Sequence, residues 1–479
     1  MALKIIALLL AFYADAAKQN INCDVLVIGG GPGGLHTAYQ LSKRPNSNIC
    51  LIEKENRLGG RLYDVALDPE HPDWRYGMGA LRVMESQNYL RTLAQEIGVT
   101  LEYAPYRDDL NSARGFFAFG SDDINNSAYP LLTKEFVNQT GHGTEDAFYN
   151  KLRLGPERNH AQDFPDLRSY IRATLGTQAH QFLSDISRFR AEFETPLDPR
   201  SYLDYLDEEI GACCNAYYPV GGMSAFIRQM AKLAQNQGTQ IYLSEPAQTI
   251  SKHVGMFQYL VNTPHYSFSA KRLVIAADAR SFHFIGGDIA ARIQAKPQFQ
   301  DIFGIKVVTV AQKWPFPWWL HSGYNGKDVR RAWTTESCIN ALEIPINPYS
   351  VQQNVMRSVY DDDMRCTQFW ENTYKRQGLK SVEREIMRGL HYLFPKADIP
   401  EPTTTVVQIW PAGWYYLKAG THFTNQQVAE WAKAPLEGED VSLLGDSYYI
   451  KRSGWSEAAY KSSINTLNAN YGFNIKASP

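Results

Sequence analysis

Asp24-Val25-Leu26-Val27-Ile28, followed at once by Gly29-Gly30-Gly31-Pro32-Gly33-Gly34, is the stretch that decides the fold. A short apolar run of this kind suits a strand buried on both faces, as in a parallel sheet. Gly29, Gly31 and Gly34 satisfy G-x-G-x-x-G, with Gly33 inside the same turn. Leu35, Ala38, Tyr39 and Leu41 then fall largely on one helical face, and a second apolar run, residues 49–52, ends at Glu53. Each part has a physical task. Gly29 permits a tight turn, Gly31 lets backbone approach a diphosphate, and Gly34 lets helix and strand pack closely. The helix start offers unpaired N–H groups and partial positive charge to phosphate. A carboxylate closing the second strand accepts hydrogen bonds from a ribose, at about the spacing of roughly 20 residues that Glu53 keeps. Strand, glycines, helix, strand and acid in this order predict an α/β dinucleotide-binding unit.

The residues after Glu53 narrow the dinucleotide. Arg57, Gly59, Gly60 and Arg61 follow closely. Glycines there allow backbone contact with phosphate, and arginine pairs with phosphate through two parallel hydrogen bonds. This favours FAD over a nicotinamide dinucleotide. The segment resembles the signature of the flavin-containing amine oxidase superfamily. Other segments extend the resemblance in family order: residues 76–82 with Gly79, Ala80, Leu81 and Arg82, residues 304–308, residues 410–423, Leu444-Gly445-Asp446, and residues 453–459 with Gly454 and Trp455. Within the superfamily the chain is most similar to secreted L-amino-acid oxidases of the snail-mucus, sea-hare-ink and venom kind. That likeness is carried by Met78 and Arg82, Trp318-Trp319-Leu320, Tyr360, Ile399-Pro400-Glu401-Pro402 and Ala419-Gly420-Thr421-His422-Phe423.

The resemblance implies specific roles. Arg82 and Tyr360 would grip a substrate carboxylate, as a guanidinium fork does with two parallel bonds. Lys306 would hold a water near the flavin and assist the reaction with oxygen, with Lys313 as a competing assignment. Gly454 and Trp455 would meet the substrate nitrogen. Trp410, Trp414 and Tyr416 would wall the cavity, and backbone near Ala247 would meet the adenine. No cysteine follows Cys366, whereas relatives with covalent flavin carry one near the last motif, so noncovalent FAD is expected. Asp446 stands where the family's closing motif usually has glutamate.

Composition bounds the rest. The 479 residues exceed one ordinary core. A net charge of −2 without a basic run leaves no footprint for nucleic acid. Lys4, the apolar residues 5–12 and Ala14-Asp15-Ala16 read as a secretory signal peptide over residues 1–16, too short to span a bilayer. Export makes disulfides among six cysteines permissible, with connectivity open, and gives meaning to the glycosylation sequons at Asn125 and Asn138. The cysteine spacings match no zinc pattern, so no metal is expected. Ser224 does not sit in a G-x-S-x-G nucleophile elbow and is expected to cap the next helix. Asp361-Asp362-Asp363 reads as a solvated turn.

The expected architecture is an α/β, discontinuous Rossmann-like FAD domain (residues 18–65, 218–300 and 437–472), a mixed-sheet substrate domain (66–115 and 301–436) and a helical insert (116–217). The expected activity is oxidation of a small carboxylate-bearing amine, an L-amino acid, with O2 as acceptor. Two alternatives stay open. One is an FAD-dependent polyunsaturated fatty-acid isomerase, which also needs a carboxylate clamp. The other is a flavoprotein that binds a partner without turnover. A compact cavity favours the oxidase and a long apolar tunnel the isomerase. Nothing in the sequence fixes the assembly; a homodimer is the arrangement entertained.

Overall fold

The computed structural model describes residues 18–72, 74–104, 110–129, 132, 144–187, 189–210, 216–322, 324, 329, 331–344, 354–449 and 456–476. The expected signal peptide, Asn138, Cys213, Cys214, Gly454 and Trp455 lie outside the described residues.

The opening motif forms a strand, β1 (Gln19–Ile28), a helix, α1 (Pro32–Ser42), and a second strand, β2 (Ile49–Ile52). β2 pairs in parallel with β1 and, on its other side, with β3 (Gln240–Tyr242). β1 also pairs in parallel with β4 (Tyr266–Ile275), whose C-terminal half carries Val441–Leu443, again parallel. An antiparallel hairpin, Thr249–Lys252 and Tyr259–Asn262, joins the N-terminal half of β4. Val25 and Val27 face one core, with α1 and the helices Ser224–Asn236 and Ser456–Tyr471, while Leu26 and Ile28 face another. Burial on both faces explains why the strand reads as an unbroken apolar run. The disulfide Cys23–Cys50 ties β1 to β2.

Two features hold α1 in place. Gly29 has φ +110°, a left-handed turn that favours glycine. A Cβ on Gly34 would lie 2.0 Å from the Gly29 carbonyl oxygen and 2.8 Å from Ala276 Cβ, so helix and strand meet without room for a side chain. On the far side His36 bonds Ser463 at 2.8 Å and Tyr89 at 2.6 Å. Burial pushes the His36 imidazole down to about 3, so it is neutral there. The N–H of Ser224 donates to Asp64 at 2.5 Å. The following helix is therefore capped by Asp64, and the Ser224 hydroxyl instead accepts from Arg228.

The second sheet is built on β5 (Ile302–Lys313), flanked by β6 (Val355–Asp361) and β7 (Thr404–Leu417), both antiparallel to it. Beyond β6 come Ala341–Glu343, Arg331–Thr334, Leu110–Ala113 and Phe116–Phe119. Phe116–Phe119 thus belongs to this sheet, although the helical insert was expected to begin at residue 116. Helices between Ser121 and Ile210 form a core with Ile305, Val307, Trp414 and Tyr416. Asn125 lies within the helix Ser121–Ala128 and is buried, at 7% exposure. A bulky glycan needs a surface asparagine, so this sequon is not a glycosylation site in the folded chain.

Two irregularities in the second sheet aim side chains. Ile305 faces Trp414 and Val307 faces Trp410, so Lys306 stands opposite Pro411, Ala412 and Gly413 together. Proline, which has no N–H to give to a ladder, suits such a bulge. In β6 the ladder steps from Val359 to Arg357, skipping Ser358, which brings Arg357 onto the same face as Tyr360.

The three aspartates after Tyr360 are buried and do not form a solvated turn. Asp361, Asp362 and Asp363 are all at most 2% exposed. Asp363 caps the helix Met364–Asn372 through the N–H groups of Arg365 and Cys366, and Asp361 accepts the N–H of Asp363 at 2.9 Å. Capping geometry draws the turn inward under the helix Arg190–Glu194. Burial pushes the Asp362 carboxyl well above its ordinary value of 3.8, with Arg190 and the Ala191 backbone pulling weakly the other way. Its protonated form is therefore favoured in the fold. The stability it contributes is fully present below 3.8 and drains away as pH rises toward the folded value. Asp362→Asn, which cannot ionise, is expected to raise Tm relative to wild type. The increment should grow as pH rises above about 4 when melting is followed across the stable range.

Candidate active site

One cavity of about 810 Å3 runs from the glycine turn of the first sheet to the face of the second. It lies in the upper part of the roughly 300–1,000 Å3 typical of cofactor and ligand sites. At one end Gly29, Gly31, Gly33, Glu53, Arg57, Gly60 and Ala247 line it. Gly31, the N-cap of α1, has no side-chain cap, and a Cβ built on it meets nothing within 4 Å. The helix start therefore opens onto free space with its N–H groups available, a cradle for a diphosphate. Glu53 accepts the N–H groups of Gly30 at 2.7 Å and Glu55 at 2.9 Å. Burial pushes its pKa up and these donors oppose that shift, leaving a carboxylate fixed for a ribose. Arg57 lies over the Tyr63 ring at 3.9 Å.

Midway, the closing motif meets the opening one. Arg61 bonds both carboxylate oxygens of Asp446, at 2.8 and 2.5 Å, and the carbonyl of Gly413 at 2.5 Å. That carbonyl is free for it because Gly413 lies in the β7 bulge. A Cβ on Gly79 would lie 2.0 Å from the Arg61 carbonyl oxygen, so this pass also needs glycine. Gly79, Ala80, Gly445 and Asp446 all line the cavity, and the shorter Asp446 is fully engaged by Arg61. The uncapped helix start, the buried Glu53 carboxylate and the two-part Arg61–Asp446 pair fit FAD along the part of the cavity from Gly29 to Asp446. The described cysteines are all in disulfides, Cys23–Cys50 and Cys338–Cys366.

The far end is lined by Val307, Thr309, Tyr360, Gln408, Trp410 and Trp414. Trp410 donates its indole N–H to the Met78 carbonyl at 2.8 Å, which locks the ring beside the segment that carries Gly79. Behind Tyr360, Arg357 sits 4.6 Å from its ring centre, and Arg357 and Arg82 both bond Glu343, the latter at 2.8 Å.

Several residues expected in the site are placed elsewhere. Gly34 lies behind the cavity, where it sets the approach of α1. Leu81 packs on the cluster of Val65, Tyr76 and Met78. Arg82 reaches Glu343 and does not line the cavity, because the Glu343 carboxylate, shared with Arg357, draws its guanidinium away. Tyr416 points into the helical insert, where its hydroxyl bonds Glu192. Strand alternation gives Tyr415 to the first-sheet side and Tyr416 to the insert, leaving Trp414 at the cavity. Lys306 pairs with Glu371 at 2.5 Å, on the face of β5 opposite Val307. Lys306 and Lys375 together hold the Glu371 carboxyl down to about 2. The competing Lys313 pairs with Asp68 at 2.6 Å. Lys306→Met is therefore expected to leave flavin reduction and reoxidation rates unchanged in stopped-flow traces. It should cost less than about 1 kcal/mol of stability, as for other partly exposed pairs.

Val307, Thr309, Gln408 and Arg357 were not anticipated. Gln408 had a signal, since it stands two residues from Trp410 on the same strand and period-two alternation places both on one face. Arg357 had none, because only the bulge at Ser358 brings it to Tyr360's face.

Comparison with known proteins agrees with this geometry. The chain is 23% identical to achacin of Lissachatina fulica, over 93% of this chain and 92% of achacin. It is 21% identical to aplysianin-A of Aplysia kurodai, over 96% and 95%. Among solved structures, cyclohexylamine oxidase from Brevibacterium oxydans IH-35A superposes with a TM-score of 0.70 at 16% identity, over 94% of this chain and 99% of that one. Putrescine oxidase bound to putrescine superposes at 0.66 and 14%, over 94% and 100%. These superpositions show a shared amine oxidase fold. The cofactor is FAD. The family profile described as flavin containing amine oxidoreductase matches residues 32–439, and the chain belongs to that family.

Proposed function

We propose that this protein is a secreted oxidase of L-amino acids, converting L-amino acid, O2 and water to 2-oxo acid, ammonia and H2O2. The observation that carries the reading is the substrate end of the cavity. It is walled by Trp410 and Trp414, with Tyr360 set over Arg357, which shares Glu343 with Arg82. A tyrosine hydroxyl in that field suits a carboxylate, and the arginines favour negative charge beside it. The resemblance to secreted L-amino-acid oxidases and the near full-length matches to achacin and aplysianin-A support the same reading. FAD, when bound, accepts a hydride equivalent from the carbon bearing nitrogen and passes the electrons to oxygen. The chain's own work is to fix the carboxylate at Tyr360, hold the substrate between the indoles and exclude water.

The test is anaerobic mixing of the purified yellow protein with L-amino acids and with polyunsaturated fatty acids. Bleaching by an amino acid, then peroxide on admitting air, is the expected result. A conjugated-diene band growing from a fatty acid under an oxidised flavin, without oxygen uptake, would replace this reading with isomerisation.

A further inference from the structure

Three adjacent strands present one polar row to the cavity. Thr309 on β5 stands opposite Gln408 on β7 and opposite Tyr360 on β6. All three line the cavity. Neighbouring strands lie about 4.7–4.9 Å apart, so the row is about 10 Å long from Gln408 to Tyr360. Residues matched in register share a face. None of the cavity residues contributed by these three strands is charged.

The two members beyond Tyr360 have hydrogen-bonding capacity to spare. Thr309 is 1% exposed, and its hydroxyl has no hydrogen bond among the described residues. Gln408 gives one amide N–H to the Ile409 carbonyl at 3.2 Å. Its amide oxygen and second N–H have no partner among the described residues. Around them stand Val307, Trp410 and Trp414. Gln408 is half-buried, and its free amide atoms and the Thr309 hydroxyl open onto the cavity, where a ligand can meet them.

We propose that Gln408 and Thr309 form a subsite that reads the substrate side chain. With the carboxylate at Tyr360, they receive an uncharged hydrogen-bonding group at the other end of the row. The substrate class is then L-amino acids with a carboxamide side chain. Gln408 supplies both an acceptor and a donor to an amide, and Thr309 can take either role. A hydrocarbon side chain leaves both groups unpaired, and a charged one enters a wall without a counter-ion. This inference rests on the amino-acid reading above.

The experiment compares wild type, Gln408→Leu and Thr309→Val by anaerobic flavin reduction with L-glutamine, L-leucine and L-glutamate. It also titrates the oxidised flavin spectrum with glutaramic acid and 4-methylpentanoic acid, which are glutamine and leucine without the amine. Wild type is expected to prefer glutamine over leucine and glutamate, and glutaramic acid over 4-methylpentanoic acid, by about tenfold or more. Gln408→Leu should remove most of that preference in both readouts, and Thr309→Val should cut it about threefold. Should Gln408→Leu fail to retain flavin, Gln408→Met and Thr309→Val carry the same ratios. If amino acids bleach the flavin but both ratios are unmoved by every substitution, the subsite is wrong while the amino-acid reading stands. If no amino acid bleaches it, the earlier reading falls and takes the subsite with it.

Discussion

Arg61→Met is expected to yield a folded but colourless protein. Arg61 holds Asp446 by two bonds and the Gly413 carbonyl by a third, so one side chain joins the opening motif, the closing motif and the β7 bulge. Asp446 is 7% exposed. Removing the guanidinium strands that carboxylate in a low-dielectric cleft and frees the bulge. Breaking a buried pair by deleting one partner costs about 3–5 kcal/mol. At about 1.4 kcal/mol per tenfold, FAD affinity should fall by two orders of magnitude or more. The checks are the ratio of flavin to protein absorbance after purification, and far-ultraviolet circular dichroism for the fold. The double variant Arg61→Met/Asp446→Asn should recover part of the loss, because the unpaired charge is gone. A yellow Arg61→Met protein with wild-type flavin content would show that the clamp does not hold the cofactor.

Gly34→Ala should be among the most damaging single-methyl additions at the described glycines. The added carbon would sit 2.0 Å from a backbone oxygen, and neither β1 nor α1 can yield without moving the phosphate cradle. Overpacking of this kind costs about 1–3 kcal/mol and sometimes more. Tm and flavin content are expected to fall together. Gly31→Ala is the control, because its Cβ meets no protein atom. There the apoprotein should melt as wild type does, while flavin binding weakens through occupation of the cradle. If both glycines behave alike, the distinction between packing and ligand approach is wrong.

The first sheet was legible because its strands are short, apolar and bounded by glycines with one steric reason each. Glu53, Arg57 and Arg61 line the cavity as their place in the turn suggests, but Arg61 bonds Asp446 and the Gly413 carbonyl where a phosphate was expected. Legibility failed where a ladder slips. Lys306 and Val307 are neighbours in sequence, and only the bulge of Pro411, Ala412 and Gly413 decides which one meets the cavity. Arg357 is hidden in the same way by Ser358. The aspartate run misled because charge alone suggests solvent, whereas capping of the next helix drew Asp363 and its neighbours inward. Arg82 was a good candidate for an anion, but its anion is Glu343, more than 200 residues away in the chain, and no local pattern announces such a pair.

The Arg61–Asp446 pair joins residues 385 positions apart. On a ribosome adding about 5–20 residues per second, Asp446 is made roughly 20–80 s after Arg61. Through that interval the glycine turn and the ribose carboxylate exist without the other half of the clamp. If the clamp holds FAD, cofactor capture waits for the synthesis of Asp446. A nascent chain arrested before residue 446 is expected to have the first motif complete and to lose FAD on purification.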